Sequence, residues 1–253
     1  MINFAVWCVE SEEILAKHKL RQMTINAATQ AQAVKAIAKV VPDYYTDPQR
    51  VASLLKKLGK PAAAAHIEQK LPTQPAIRSG DLGEILCNAY VNEATPFSRG
   101  IKRLRWKDHR NMSMRGEDVL AFDLGPKNND LKILKAEVKS RAGMGTAVIA
   151  EARAALSANN ELPSPHALAF VADRLHQIGD TILGDILDKA QLKDGIRSSQ
   201  VAHMLFTFSG NNPVKLLKKN LQAYKGSVPQ HYVGLQVQGH QDFIKEIFAA
   251  VGK

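Results

Sequence analysis

The sequence predicts an α/β fold, with a mixed sheet flanked by helices over residues 76–253 and a helical N-terminal region over residues 1–75. Three observations predict it. Residues 10–71 are rich in Ala and Leu with helical periodicity, and residues 118–139 spell two short strands joined by a turn. Beyond Thr146, strand-length apolar runs alternate with helically spaced segments.

Taken in order, Ala27, Ala31, Val34, Ala38 and Val41 recur at spacings of four and three and line one helix face inside the Glu10–Leu71 stretch. Pro42-Asp43 and Thr46-Asp47-Pro48 punctuate it as turns or N-caps. Ser79-Gly80-Asp81 then precedes a helix over 82–91, whose Leu82, Ile85, Leu86 and Ala89 form a buried stripe with Glu84 beside it. Asp118–Asp123 reads as a short strand. Gly125-Pro126-Lys127-Asn128-Asn129-Asp130 reads as a turn, and Leu131–Lys139 as the returning strand. Thr146–Ala158 is an Ala-rich helix with Glu151 and Arg153 on its polar side. Ala167–Ala172 and His203–Phe208 have the length and apolarity of strands, and Ile178–Leu192 between them is spaced as a helix. Pro213–Ala223, Tyr232–Val237 and Asp242–Val251 continue the alternation.

Composition narrows the function classes. There is no run of 18 apolar residues and no basic, cleavable leader at Met1–Ile14, so the expectation is a soluble, cytoplasmic protein with no membrane partner. Cys8 and Cys87 offer neither a disulfide framework nor metal-ligand spacing. The 34 Lys and Arg against 24 Asp and Glu leave a formal charge of +10, which favours an anionic partner such as DNA. Basic residues cluster around Trp106 between Arg99 and Arg110, so Arg103, Arg105, Lys107 and Arg110, with Arg141 further on, are the candidate nucleic-acid contacts.

The chemistry lies in the hairpin. Side chains alternate along a strand, so Glu137 and Lys139 share one face while Leu134, Ala136 and Val138 take the other. The start of one antiparallel strand lies beside the end of the next, which brings Asp118 to the same end. Two carboxylates and an ammonium then converge. Such a set suits hydrolysis of a phosphodiester assisted by Mg²⁺, with Mn²⁺ as a substitute, because Mg²⁺ takes oxygen ligands and usually only one or two carboxylates. Asp118, Glu137 and the carbonyl of Val138 are the candidate metal ligands. Lys139 orients the attacking water or stabilises charge developing on the phosphorus centre, and Glu84 assists from the preceding helix.

Glu84 on a helix, Gly116-Glu117-Asp118 opening one strand and Glu137-Val138-Lys139 closing the next resemble the PD-(D/E)xK nuclease core. That resemblance implies a restriction-endonuclease-like sheet; the proline of the motif is Glu117 here, which leaves the metal carboxylate in place. Over the whole chain, the helical front, Gly80-Asp81-Leu82-Gly83-Glu84 and the segments around Asp118 and Glu137 are similar to the HamA nuclease subunits of Hachiman anti-phage defence systems. The resemblance implies a DNA endonuclease of little sequence specificity, held inactive by a partner helicase of the HamB type.

Competing readings rest on the same residues. Pro42-Asp43 with Glu68-Gln69-Lys70 matches the motif literally, but its second half has helical character, and residues two apart on a helix do not share a face. A cross-strand ion pair on a solvated sheet would also account for Glu137 and Lys139, though not for Asp118 beside them. The alternative function is a non-catalytic nucleic-acid-binding adaptor, which divalent metal would leave indifferent. A homodimer fits double-strand cutting, and the sequence does not decide it.

Overall fold

The computed structural model describes residues 2–126 and 130–252; Lys127, Asn128 and Asn129 of the expected turn lie outside them. Among the described residues seven strands form one mixed sheet: β1 (Cys8–Leu15), β2 (His18–Ile25), β3 (Arg99–Gly100), β4 (Val119–Asp123), β5 (Lys132–Arg141), β6 (Val201–Ser209) and β7 (Gln230–Gln236). Their order is β1-β2-β7-β6-β5-β4-β3. The β2-β7-β6-β5 block is parallel, and antiparallel pairs close both ends. Every residue of β6 is buried, as expected of a central strand covered on both faces.

Among the described residues eight helices accompany the sheet: α1 (Gln30–Tyr45), α2 (Pro48–Lys70), α3 (Pro75–Ala94), α4 (Thr146–Ser157), α5 (Pro165–Ile178), α6 (Thr181–Lys189), α7 (Val214–Ala223) and α8 (His240–Ala250), with α2 packed on α1. On one face α1, α3 and α8 pack Ile37, Leu86 and Phe243 against Met23, Leu134, Val138 and Phe206. On the other, α4 and α7 bury Leu156 and Leu217 against Leu205 and Tyr232, while α5 and α6 bury Leu175 and Leu183 against Phe122 and Ile133. None of the described helices is long and apolar enough to cross a membrane.

Two element assignments are corrected. The helical N-terminal region begins only at Gln30, because residues 8–25 form the β1–β2 hairpin, which joins the main sheet through β2 and β7. Met23 and Ile25 turn into the core on one face and Leu20 on the other, which is strand alternation. Residues 167–172 belong to α5, not to a strand. Ser164 caps that helix by accepting from the Ala167 N–H at 3.3 Å, and Pro165 fills its first turn, where a missing N–H costs nothing. The 118–139 hairpin and the later alternation of helix and strand stand as read.

Candidate active site

Register positions the first two carboxylates. Val119 pairs with Ala136 across β4 and β5, so Asp118, one step earlier, lies opposite Glu137. β4 begins at Val119 while β5 runs on to Arg141, leaving the last residues of β5 without a neighbour on that side. Asp118 fills the gap with its own side chain, accepting from the Val138 N–H at 2.8 Å. In a strand the N–H and C=O of one residue point to the same edge, so the Val138 carbonyl also faces this gap.

Glu137 and Lys139 share the opposite face from Val138, as their spacing requires. Lys139 Nζ lies 3.0 Å from Glu137 Oε1 and donates at 2.7 Å to Glu151 Oε1 of α4. Burial works against the Lys139 charge, but its bonds to Glu151 and Glu137 outweigh it and raise its pKa. Lys139 is therefore a fixed cation suited to stabilising negative charge rather than to accepting a proton.

Glu84 does not point at Glu137. Both of its oxygens accept from Arg103, at 2.8 and 2.9 Å, and the same guanidinium donates to Asp118 Oδ1 at 3.2 Å and to the Arg115 carbonyl. Arg103 thus bridges the helix carboxylate and the strand carboxylate. Its side chain is only 11% exposed, so it belongs to the interior of the site and not to an outer DNA-binding face. Burial disfavours its charge, yet Glu84 and Asp118 more than compensate and raise its pKa. Burial first, then the charges of Glu84 and Glu137, push the Asp118 carboxyl up to about 8, and burial also raises Glu137.

Acidic charge therefore exceeds what Arg103 and Lys139 neutralise. The donors facing the gap are all hard oxygens: the carboxylates of Asp118 and Glu137 and the Val138 carbonyl. That set fits a divalent cation of the Mg²⁺ type, which keeps several waters. Among the described residues no three His, Cys, Asp or Glu side chains are grouped to cage a metal unaided. Glu84, held by Arg103, is not a third direct ligand in this arrangement.

The rest of the basic segment divides between inside and outside. Lys107 donates to both oxygens of Asp81, at 2.9 and 2.6 Å, in a pair whose side chains are each 5% exposed, and Tyr45 Oη donates to the same carboxylate at 2.8 Å. Arg105 Nε donates to the Asp43 carbonyl at 2.9 Å. These contacts pin residues 103–107 to α1 and α3, so Lys107 is structural and Arg105 is half engaged. Arg110 is half-buried, and Arg115 and Arg141 are exposed. Ser140, next to Lys139, faces inward and bonds Ser79 Oγ at 2.8 Å and His240 Nε2 at 3.1 Å, away from the carboxylates.

Sequence reasoning missed three participants. The bridging role of Arg103 is hidden because a run of cations gives no sign of which one turns inward. Glu151 reads only as the polar side of a helix. Glu117, at the motif's proline position, accepts from both the Ser164 N–H and its hydroxyl, at 2.6 and 2.9 Å, and lies 4.0 Å from Lys135 Nζ. It ties the residue before Asp118 to the start of α5, beside Gly116, whose φ of 89° suits glycine. The literal motif copy at Glu68–Lys70 lies within α2.

The HamA family model matches residues 3–251. The chain is also similar to the Hachiman protein HamA of Bacillus cereus, at 22% identity over 236 residues, covering 90% of this chain and 82% of that protein.

Proposed function

From the premise that the chain belongs to the HamA family, we propose that it is the nuclease effector of a Hachiman-type anti-phage defence system, a metal-dependent DNA endonuclease. The observation that carries this reading is the meeting of Asp118 with Glu137 and Lys139 at the open edge of β5, with the Val138 backbone between them. An adaptor that merely binds nucleic acid has no need of carboxylates gathered where a phosphate must approach. A stretch of solvated sheet has no need to bury them.

Asp118, Glu137 and the Val138 carbonyl would hold Mg²⁺ or Mn²⁺. When bound, the ion supplies Lewis-acid activation of the scissile phosphate and of water. The chain's own residues do the rest. Lys139, kept protonated by Glu137 and Glu151, offers its ammonium to the charge that builds on the phosphate oxygens. Arg103 holds Glu84 and Asp118 in register and keeps Asp118 aimed at the edge. In this reading Arg110, Arg115 and Arg141 meet the flanking phosphates, contacts that position a strand without reading its sequence. Little sequence preference is expected, because among the described residues no separate base-reading element accompanies the catalytic core. The family premise supports a helicase partner of the HamB type that restrains the nuclease.

The test is conversion of supercoiled plasmid by the purified chain with Mg²⁺ or with EDTA, alone and with the helicase partner. A Glu137→Ala/Lys139→Ala double substitution runs beside it. Metal-dependent loss of supercoiled DNA that the double substitution abolishes supports the reading. Equal loss with the substituted protein, or cutting in EDTA, overturns the assigned site. Binding without cutting by the freed protein favours the adaptor.

A further inference from the structure

A cavity of about 190 Å³ opens directly beside the carboxylates, with Glu84, Arg103 and Asp118 in its lining. Much of its wall is apolar, from Ile85 of α3, Leu104, Leu120 of β4, and Ala167, Phe170 and Val171 of α5, with Lys102, Arg115 and His166 also reaching it. None of these apolar residues takes part in the chemistry proposed above. The cavity is smaller than the roughly 300–1,000 Å³ of sites for larger organic ligands. It suits one flat ring system.

A stacking surface adjoins the cavity at Phe170. Phe170 meets Trp106 edge to face, with centroids 6.5 Å apart and planes at 89°, and the Arg174 guanidinium lies over both rings at 5.0 and 5.8 Å. Arg174 Nε is buried with no hydrogen-bond partner among the described residues. Asn88 adds a polar edge to the lining. Asn88 Oδ1 accepts from Tyr44 Oη at 3.2 Å and from Asn92 Nδ2 at 3.1 Å, which leaves the Asn88 amide N–H₂ as a donor with no partner among the described residues. Apolar walls, aromatic and guanidinium faces, one donor at the edge and a phosphate site next door are the demands of a nucleobase whose backbone runs past the carboxylates.

We propose that this cavity receives the base of a nucleotide adjoining the scissile phosphate, turned out of its stack, and so makes single-stranded or mispaired DNA the favoured substrate. A base inside a matched duplex must first break its stacking and pairing to enter. An unpaired base is spared much of that cost. The inference rests on the nuclease reading, since it takes the scissile phosphate to lie at Asp118 and Glu137.

The test uses a single-stranded oligodeoxynucleotide carrying 5-iododeoxyuridine, bound to the full chain with Ca²⁺ in place of Mg²⁺, irradiated, and mapped by mass spectrometry of the crosslinked peptide. The expected adduct lies on Phe170 or Trp106. Phe170→Ala is expected to weaken binding about tenfold, the order of one lost stacking contact, and to remove the adduct, while Phe170→Tyr keeps both. Ala167→Phe, which fills the cavity and leaves the aromatic pair in place, gives the same loss by an independent route. An adduct elsewhere, or unchanged binding and yield in both Phe170→Ala and Ala167→Phe, overturns the proposal. In parallel, the unsubstituted chain is given Mg²⁺ with single-stranded, mispaired and matched duplex DNA. Cutting with no adduct in the cavity overturns the base site and spares the nuclease. An adduct with no cutting overturns the nuclease and spares base binding, and equal cutting of all three substrates overturns the substrate preference.

Discussion

Replacing Lys107 with Met would leave the Asp81 carboxylate in the interior without its cation. Both side chains of the pair are 5% exposed, so solvent cannot take the place of the missing ammonium. Breaking a buried pair by removing one member costs about 3–5 kcal/mol. The cost depends on pH in a direction that can be worked out. Burial pushes Asp81 up to about 6 even though Lys107 and Tyr45 both donate to it and favour its charge. Between its unfolded value near 3.8 and about 6, the folded protein holds this proton more tightly than the unfolded chain does. Stability contributed by this group therefore falls as pH rises through that window, by about 3 kcal/mol in all. Without Lys107 the carboxyl stays protonated to still higher pH, so the variant avoids most of the penalty at pH 5 and bears all of it at pH 8. Urea unfolding followed by circular dichroism should show a loss of about 3–5 kcal/mol at pH 8 and less than about half of that at pH 5. An Asp81→Asn/Lys107→Met double variant should recover most of the loss. A deficit under about 1 kcal/mol at pH 8, or the same deficit at both pH values, refutes the claim that this pair holds the basic segment in place.

Three further outcomes are expected. His203 is wholly buried and its pKa is lowered to about 4, mainly by burial; the stability it contributes above the unfolded value near 6.5 is lost as pH falls toward 4, about 3 kcal/mol. His203→Gln should flatten that acid limb in denaturant titrations, and an unchanged limb assigns the loss to other groups. Arg103→Ala removes a positive charge from the edge of the carboxylate cluster, so calorimetry should show Ca²⁺ binding tighter by about tenfold, an order set by one charge acting across a partly buried site; weaker Ca²⁺ binding would mean that Arg103 organises the ligands more than it competes with the ion. Glu117→Ala frees the backbone before Asp118 from Ser164 and should lower kcat by about 10- to 100-fold with little change in KM, the pattern of a misaimed group; a rise in KM alone would give Glu117 a role in binding DNA.

How much of this was legible in the sequence depended on whether a residue's neighbours were local. The Glu137–Lys139 face follows from strand alternation alone, and Asp118 follows from the hairpin, whose two strands are only a turn apart. The β1–β2 hairpin stayed hidden because its two-residue loop is Ala16-Lys17, with Ala16 at a φ of 57°, where Asn or Gly is the usual signal. Its outer strand is also largely exposed, so no apolar alternation marks it. In α5 the signal was present in Ser164-Pro165, but the apolar run from Ala167 to Ala172 outweighed it. The inward turn of Arg103 is a tertiary matter: its partners lie 19 and 15 residues away on two different elements.

The pairing of β2 with β7 joins positions such as Lys19 and His231, which are separated by nearly the whole chain. At a synthesis rate of about 5–20 residues per second, the first strands wait on the order of 10–40 s for their partner to be made. During that interval Met23 and Ile25 have no sheet to cover them, and the sheet cannot close on its N-terminal side. Glu10, Glu12 and Glu13 on the outer strand give the waiting hairpin a row of like charges that discourages it from pairing with another nascent copy. Closure of the sheet on that side thus waits for β7, after the segments that carry Glu84, Asp118 and Glu137 have already been made.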